Sequence, residues 1–337
     1  MIIPHSKPWI CKEEVESISS LLKSGQLTTG EKVKVFETKV RNFLGAKYSK
    51  SSISGTVAMI MALKILEVKK NDEVILPSYV CENVLFSVLS IEAKPVICDV
   101  NLDGVITSEN IEKHITKNTK AIIAVHTFGH ICNIEKLKIF DIPVISDLCQ
   151  SFNKNNLPIS NMGFFGDVGV LSFHATKCLT TGEGGMVITN DERYGFNLLK
   201  INKLNLYGSI TDIQACLGIT QLQRYNEFLK KREQLKSFYD LEFINIKNIP
   251  RNITYNVLFR YTFLSKKGFS NLEKQFLSKK ICIRRGVDNL IHRKLNLNDK
   301  FYPNSVFLFE RTISLPFYPS LNQKEIKRIC KAMKDLF

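Results

Sequence analysis

Lys177 stands in the run SFHATKCLTTGEGG (172–185), between the apolar stretch VGVLSF and a glycine-rich turn leading into MVITN. A lysine fixed at a strand end among small and hydroxyl-bearing residues can attack a carbonyl carbon. Its surroundings must then favour the neutral amine or hold it as an imine. The plain alternative is a solvated loop lysine, in a chain with 47 lysines and arginines. Three other groups weigh against that alternative. Ser54-Gly55-Thr56 precedes the helical run AMIMALKIL; such a turn offers backbone N–H groups to an anion or serves as an ordinary cap. Asp147 closes PVISD, where a carboxylate can cap a helix or pair with a protonated ring nitrogen. Ser172, five residues before Lys177, offers a hydroxyl to a phosphate.

To meet at one site, these residues need strands that end on the same edge of a sheet. From about residue 45 to 190, short apolar runs alternate with amphipathic stretches. EVILP (73–77), a helix near 80–92, PVICDV (95–100) and a helix near 108–116 come first. AIIAVHTF (121–128), a helix near 133–140 and PVISD (143–147) follow. The pattern predicts an α/β fold with a mostly parallel, seven-stranded-type sheet flanked by helices. Such sheets bind ligands beyond the carboxyl ends of their strands, where Asp147 and Lys177 both fall. Residues 211–243 read as one long helix. Beyond it, YNVLFRYTFL, NLEKQFLSKK and a final helix from about Gln323 predict a smaller α+β region. The boundary falls near 235, giving a large domain 1–235 and a small domain 236–337, with the N-terminal segment packed on the latter.

Composition narrows the function classes. A hydrophobic content of 44% describes an ordinary globular chain. The longest apolar runs, such as AIIAV (121–125), are far short of the ~20 residues that span a bilayer. No basic segment leads into an apolar core at the N-terminus, so a cytoplasmic location and no membrane partner are expected. The nine cysteines are dispersed and form no C-x-x-C pair, which argues against a metal site or a disulfide framework. The net charge of +15 suits an acidic small substrate or a nucleic acid, but the basic residues are scattered, with no block longer than the run at Lys230-Lys231-Arg232. Nucleic-acid binding is accordingly not expected.

A phosphate cradle, an acid partner for a heterocyclic nitrogen and an imine-forming lysine are the groups that pyridoxal 5'-phosphate (PLP) requires. These residues stand in longer stretches: SGQLTTGEKVKVFE (24–37), ISGTVAMIMAL (53–63), NDEVILPSYV (71–80), PVISDLCQSF (143–152), FGDVGVLSFHATKCLTTGEGGMVITND (165–191) and TDIQACLGITQL (211–222). Through them the chain resembles, over nearly its whole length, the DegT/DnrJ/EryC1/StrS family of PLP-dependent sugar aminotransferases of fold type I. The resemblance implies transfer of an amino group, from glutamate as the usual donor, to a keto carbon of a nucleotide-linked sugar, for surface polysaccharide or secondary metabolism. It also implies a homodimer with sites at the subunit interface. Residue by residue, it makes Lys177 the Schiff-base lysine and Asp147 the pyridinium partner. Gln150 lies near the phenolic oxygen, and Ser54, Gly55, Thr56 and Ser172 hold the phosphate. The family's ring-stacking aromatic position falls on Cys81, with Tyr79 as a neighbour. The family's asparagine that reaches the partner subunit's phosphate falls on Tyr207, with Asn205 nearby.

Other polar residues carry weaker claims. His174 reads as a packing or loop residue, His126 and His130 as cleft-lining at best, and Arg284 and Arg285 as sugar-nucleotide contacts or solvent-facing charges. A catalytically silent or regulatory homologue is the alternative reading, motivated by Cys81 and a short 191–211 segment. A PLP-dependent sugar dehydratase, which carries histidine at the lysine position, is disfavoured by Lys177.

Overall fold

The structure, a computed structural model, describes residues 1–153, 166–203, 207–246 and 258–337. Seven strands form one sheet: β1 (Tyr48–Ser52), β2 (Glu73–Pro77), β3 (Lys94–Cys98), β4 (Thr119–Val125), β5 (Val144–Asp147), β6 (Val168–Ser172) and β7 (Gly185–Thr189). Their order is β1-β7-β6-β5-β4-β2-β3. Neighbours from β3 to β6 run parallel, whereas β7 is antiparallel to both β6 and β1. The central strands are Val/Ile-rich and buried on both faces, as expected when helices cover a parallel sheet.

Helices α1 (Lys12–Ser24), α2 (Glu31–Leu44), α3 (Gly55–Ile65), α4 (Glu82–Leu89), α5 (Ser108–Glu112), α6 (Ile134–Lys138) and α7 (Glu192–Lys203) surround that sheet. The predicted elements between 73 and 189 sit within a few residues of these. The long helix expected over 211–243 is instead two, α8 (Asp212–Gln223) and α9 (Tyr225–Glu242), parted at Arg224. Its Nη1 donates to both carboxylate oxygens of the buried Glu14 on α1, at 2.8 and 2.9 Å. The Arg224 backbone, at φ −95°, ψ 4°, leaves the helical region at this point, and the charge-assisted pair ties the junction to α1.

A second sheet has the order β8-β10-β9, from β8 (Tyr261–Leu264), β9 (Arg284–Arg285) and β10 (Thr312–Leu315). Helices α10 (Phe269–Ser278), α11 (Ile291–Lys294), α12 (Pro303–Arg311) and α13 (Gln323–Leu336) accompany it. Ile3 bridges to Ile281 and is buried in the same core as Phe276 and Ile313. The N-terminal segment therefore packs on the small sheet. Helix α9 enters two cores: Tyr225 and Phe228 join that of α2, and Leu235 and Tyr239 join that of the small sheet.

Candidate active site

A cavity of about 270 Å³ opens beyond the carboxyl ends of β4, β5 and β6. Ser54, Gly55, Thr56, Cys81, Asp147, Gln150, Ser172 and Lys177 all line it. Residues spread over more than a hundred positions are thus brought to one wall-to-wall site. Each arrives for a local reason.

At one end lies the start of α3. Ser54 is its N-cap, and its hydroxyl accepts from the Val57 N–H at 3.2 Å. The N–H groups of Gly55 and Thr56 belong to the first turn, which has no carbonyl to donate to and carries the positive end of the helix dipole. A Cβ on Gly55 would stand 2.8 Å from Ser172 Cβ, so the first turn and the end of β6 meet at van der Waals contact. Only glycine leaves this anion cradle open. A phosphate fits here by donor type: first-turn N–H groups with the Ser172 hydroxyl packed directly against them.

At the other end are Asp147 and Lys177. Asp147, 7% exposed, ends β5, and one of its oxygens accepts from the Cys149 N–H at 3.0 Å. Burial, followed by the Asp147 charge, pushes the Cys81 thiol up, with Lys177 opposing. The same pair of causes raises Cys149 well above the thiol range. Both sulfurs are therefore neutral beside the carboxylate. Lys177 follows β6 in a turn closed by its N–H donating to the His174 carbonyl at 2.8 Å. Among the described residues its ammonium makes no ion pair, and it lies 5.4 Å from the centre of the Phe259 ring.

Gln150 is oriented by its carbonyl oxygen, which accepts from the Phe128 N–H at 2.8 Å and leaves the amide NH₂ as a donor. Phe128 holds a left-handed backbone, φ 54°, which this contact helps fix. Cys81 is the N-cap of α4 and faces the cavity. Tyr79 does not take its place: it is 1% exposed, meets Phe128 edge-on at 6.3 Å and lines a separate cavity. Among the described lining residues none is Phe, Tyr or Trp, so a bound ring would lie between thiols and aliphatic groups such as Val84 and Val170.

His174 belongs to this cavity, with Nδ1 2.9 Å from the Thr176 hydroxyl and Nε2 3.5 Å from a Glu183 oxygen. Reading the sequence passed over Asn83, Thr176 and Glu183 as lining residues; for the last two, adjacency to Lys177 and the GEGG turn was the available signal. His126 is fully buried, its ring accepts from the Cys132 N–H, and burial lowers it to about 3. His130 lines the cavity of Tyr79. Arg284 faces a cleft beside Thr176, whereas Arg285 turns away to stack on Phe269 and Phe309. Tyr207 packs, half-buried, against the core of α3, and Asn205 lies outside the described residues.

Comparison with known proteins was made against this geometry. Residues 8–334 match the family described as the DegT/DnrJ/EryC1/StrS aminotransferase family. The chain is 31% identical to an uncharacterized protein of Methanocaldococcus jannaschii, over 99% of this chain and 97% of that one. It is 26% identical to the GDP-perosamine synthase of Escherichia coli O157:H7, over 99% and 98%. A Streptococcus pneumoniae structure described as a sugar aminotransferase in its PMP form superposes with a TM-score of 0.89 at 24% identity, covering 100% and 98%.

Proposed function

We propose that this chain, which belongs to the DegT/DnrJ/EryC1/StrS aminotransferase family of PLP-dependent enzymes, aminates a keto carbon of a nucleotide-linked sugar for polysaccharide or secondary-metabolite synthesis. Glutamate is the amino donor in this reading. The observation that carries it is the single cavity with an anion cradle at α3 and the pair Asp147 and Lys177 at the other end. The similarity to a GDP-perosamine synthase supports a sugar nucleotide as acceptor.

PLP supplies an electrophilic aldehyde and a ring that accepts electrons. Gly55, Thr56 and Ser172 would hold its phosphate, Asp147 its pyridine nitrogen, and Gln150 its phenolic oxygen. Cys81 and Val84 would border the ring. Lys177 would hold the aldehyde through its amine and, when free, would hold and move a proton at Nζ. Asp147, held by the Cys149 N–H, keeps its charge in place against the ring nitrogen. The neutral thiols beside it limit competing ion pairs.

The same reading divides the chain near residue 235, supported by the two cores that α9 enters. It pairs two copies into a homodimer: Ile53, beside the cradle, is 51% exposed, and Phe86 and Leu89 on α4 are 50% and 41% exposed. It places the enzyme in the cytoplasm, with neither nucleic acid nor membrane as partner. Among the described residues no helix is long and apolar enough to cross a membrane.

Borohydride treatment of the PLP-loaded protein should add the cofactor's mass to the peptide that contains Lys177. Lys177→Ala should lose both that adduct and transamination, by about 10³-fold or more. A Lys177→Ala protein that transaminates like the wild type would sink the assignment. A wild-type protein that binds PLP but responds to no amino donor would favour the silent homologue.

A further inference from the structure

Beside the cofactor cavity is a second cleft, small and strongly basic, that shares Thr176 with it. His5, Arg232, Arg260 and Arg284 line it. The small sheet brings them together. Ser314 on β10 pairs with Thr262 on one side and Arg284 on the other, and Arg260 lies two residues before Thr262. His5 arrives on the N-terminal segment, with Nε2 2.8 Å from the Ser314 hydroxyl.

Three guanidinium groups face one cleft without an anion to balance them. Among the described residues none of Arg232, Arg260 or Arg284 forms an ion pair; Asp288, exposed, is the carboxylate that acts on Arg260 from a distance. Arg260 uses Nη1 for the carbonyls of Arg285 and Gly286, at 3.1 and 3.0 Å, which leaves the Nε/Nη2 edge. Burial, and then Arg284, lower it to about 10. Arg232 is 5% exposed, donates from Nη1 to the carbonyls of Leu258, Phe259 and Phe317, and has a buried Nε with no partner among the described residues. His5 is held neutral by burial and by these three arginines. Concentrated positive charge with an orphaned buried donor favours an anion that completes it.

The free space is about 20 Å³. That is room for about one water-sized group, which can admit a carboxylate oxygen and is too small for a diphosphate. Phe259 borders this cleft and connects it to the amine: its ring centre is 5.6 Å from the Arg260 guanidinium and 5.4 Å from the Lys177 ammonium.

We propose that Arg260 and Arg284, with Arg232 Nε behind them, are the receptor for a carboxylate of the amino donor. The assignment rests on the aminotransferase reading and adds how the donor is distinguished from the acceptor: the donor's carboxylate enters the basic cleft, while the diphosphate of the sugar nucleotide binds elsewhere.

The test uses the PLP-loaded protein with Arg260→Leu and, because Arg260 also ties down two carbonyls, the exposed Arg284→Gln. Glutarate, an unreactive dicarboxylate, should raise the melting temperature of the wild type and fail to do so in either variant. UDP should shift all three proteins equally. In single turnover, each variant should need ~10–100-fold more glutamate to convert the bound cofactor, the usual loss for a charged partner. Arg260→Lys should recover part of it. Unchanged glutarate and glutamate responses in both variants would overturn the proposal, as would loss of the UDP shift with glutarate retained. A wild type that shifts with glutarate but turns over with no donor would refute the aminotransferase reading while leaving the carboxylate site standing.

Discussion

The cofactor cavity and the basic cleft lie side by side, share Thr176, and are built in opposite ways. The cavity is assembled from the carboxyl ends of adjacent parallel strands and the first turn of one helix. Its donors and its carboxylate are each fixed by a local hydrogen bond. The cleft is assembled from four segments far apart in the chain: the N-terminal segment, helix α9, the residues just before β8, and β9. Two of its charges, on Arg232 and Arg260, are held against mutual repulsion by backbone carbonyls. One site is complete in its own polar groups and awaits a cofactor. The other is unbalanced and awaits a charge. A donor that enters the second and reacts in the first would be bound only when both are formed.

The sharpest way to break this contrast is to remove charge from the cavity without changing its shape. Asp147→Asn should leave the fold and the glutarate response of the cleft intact and lower transamination by ~10²–10³-fold, the range for one electrostatic contact to a developing charge. Equal loss in both measurements would mean that the two sites are a single electrostatic unit. A smaller effect is expected at Cys81, where the wall is thiol rather than aromatic. Cys81→Tyr should tighten PLP retention by ~0.5–1.5 kcal/mol, the worth of an aromatic pair, as read from cofactor dissociation during dialysis. Weaker retention would show that the cavity is sized for the small side chain.

The same contrast explains what could be read from the sequence. Asp147, Ser172 and Lys177 end or follow apolar runs, and Gly55 and Thr56 open a helix, so chain-local pattern and sheet logic suffice to place them together. Cys81 could be placed only through the family resemblance, and Tyr79's burial against Phe128 follows from packing that no spacing reveals. The break at Arg224, where the side chain is tied to Glu14 210 residues away, leaves no mark on the apolar periodicity. Arg284 and Arg285 were indistinguishable as neighbours in sequence. The pairing of β9 with β10 sends one to the cleft and the other outward.

Helix α9 roots Tyr225 and Phe228 in one core and Leu235 and Tyr239 in the other, with Arg232 fastening it midway to carbonyls at 258, 259 and 317. Melting either core would strip two large side chains' worth of support from the shared helix and expose apolar surface of the other. The penalty for partial unfolding is therefore borne by both halves at once. Scanning calorimetry of the cofactor-free protein should accordingly record one cooperative transition; two resolved peaks would mean that α9 can fray at its middle. In thermodynamic terms, two sheets and two cores behave as a single folding unit.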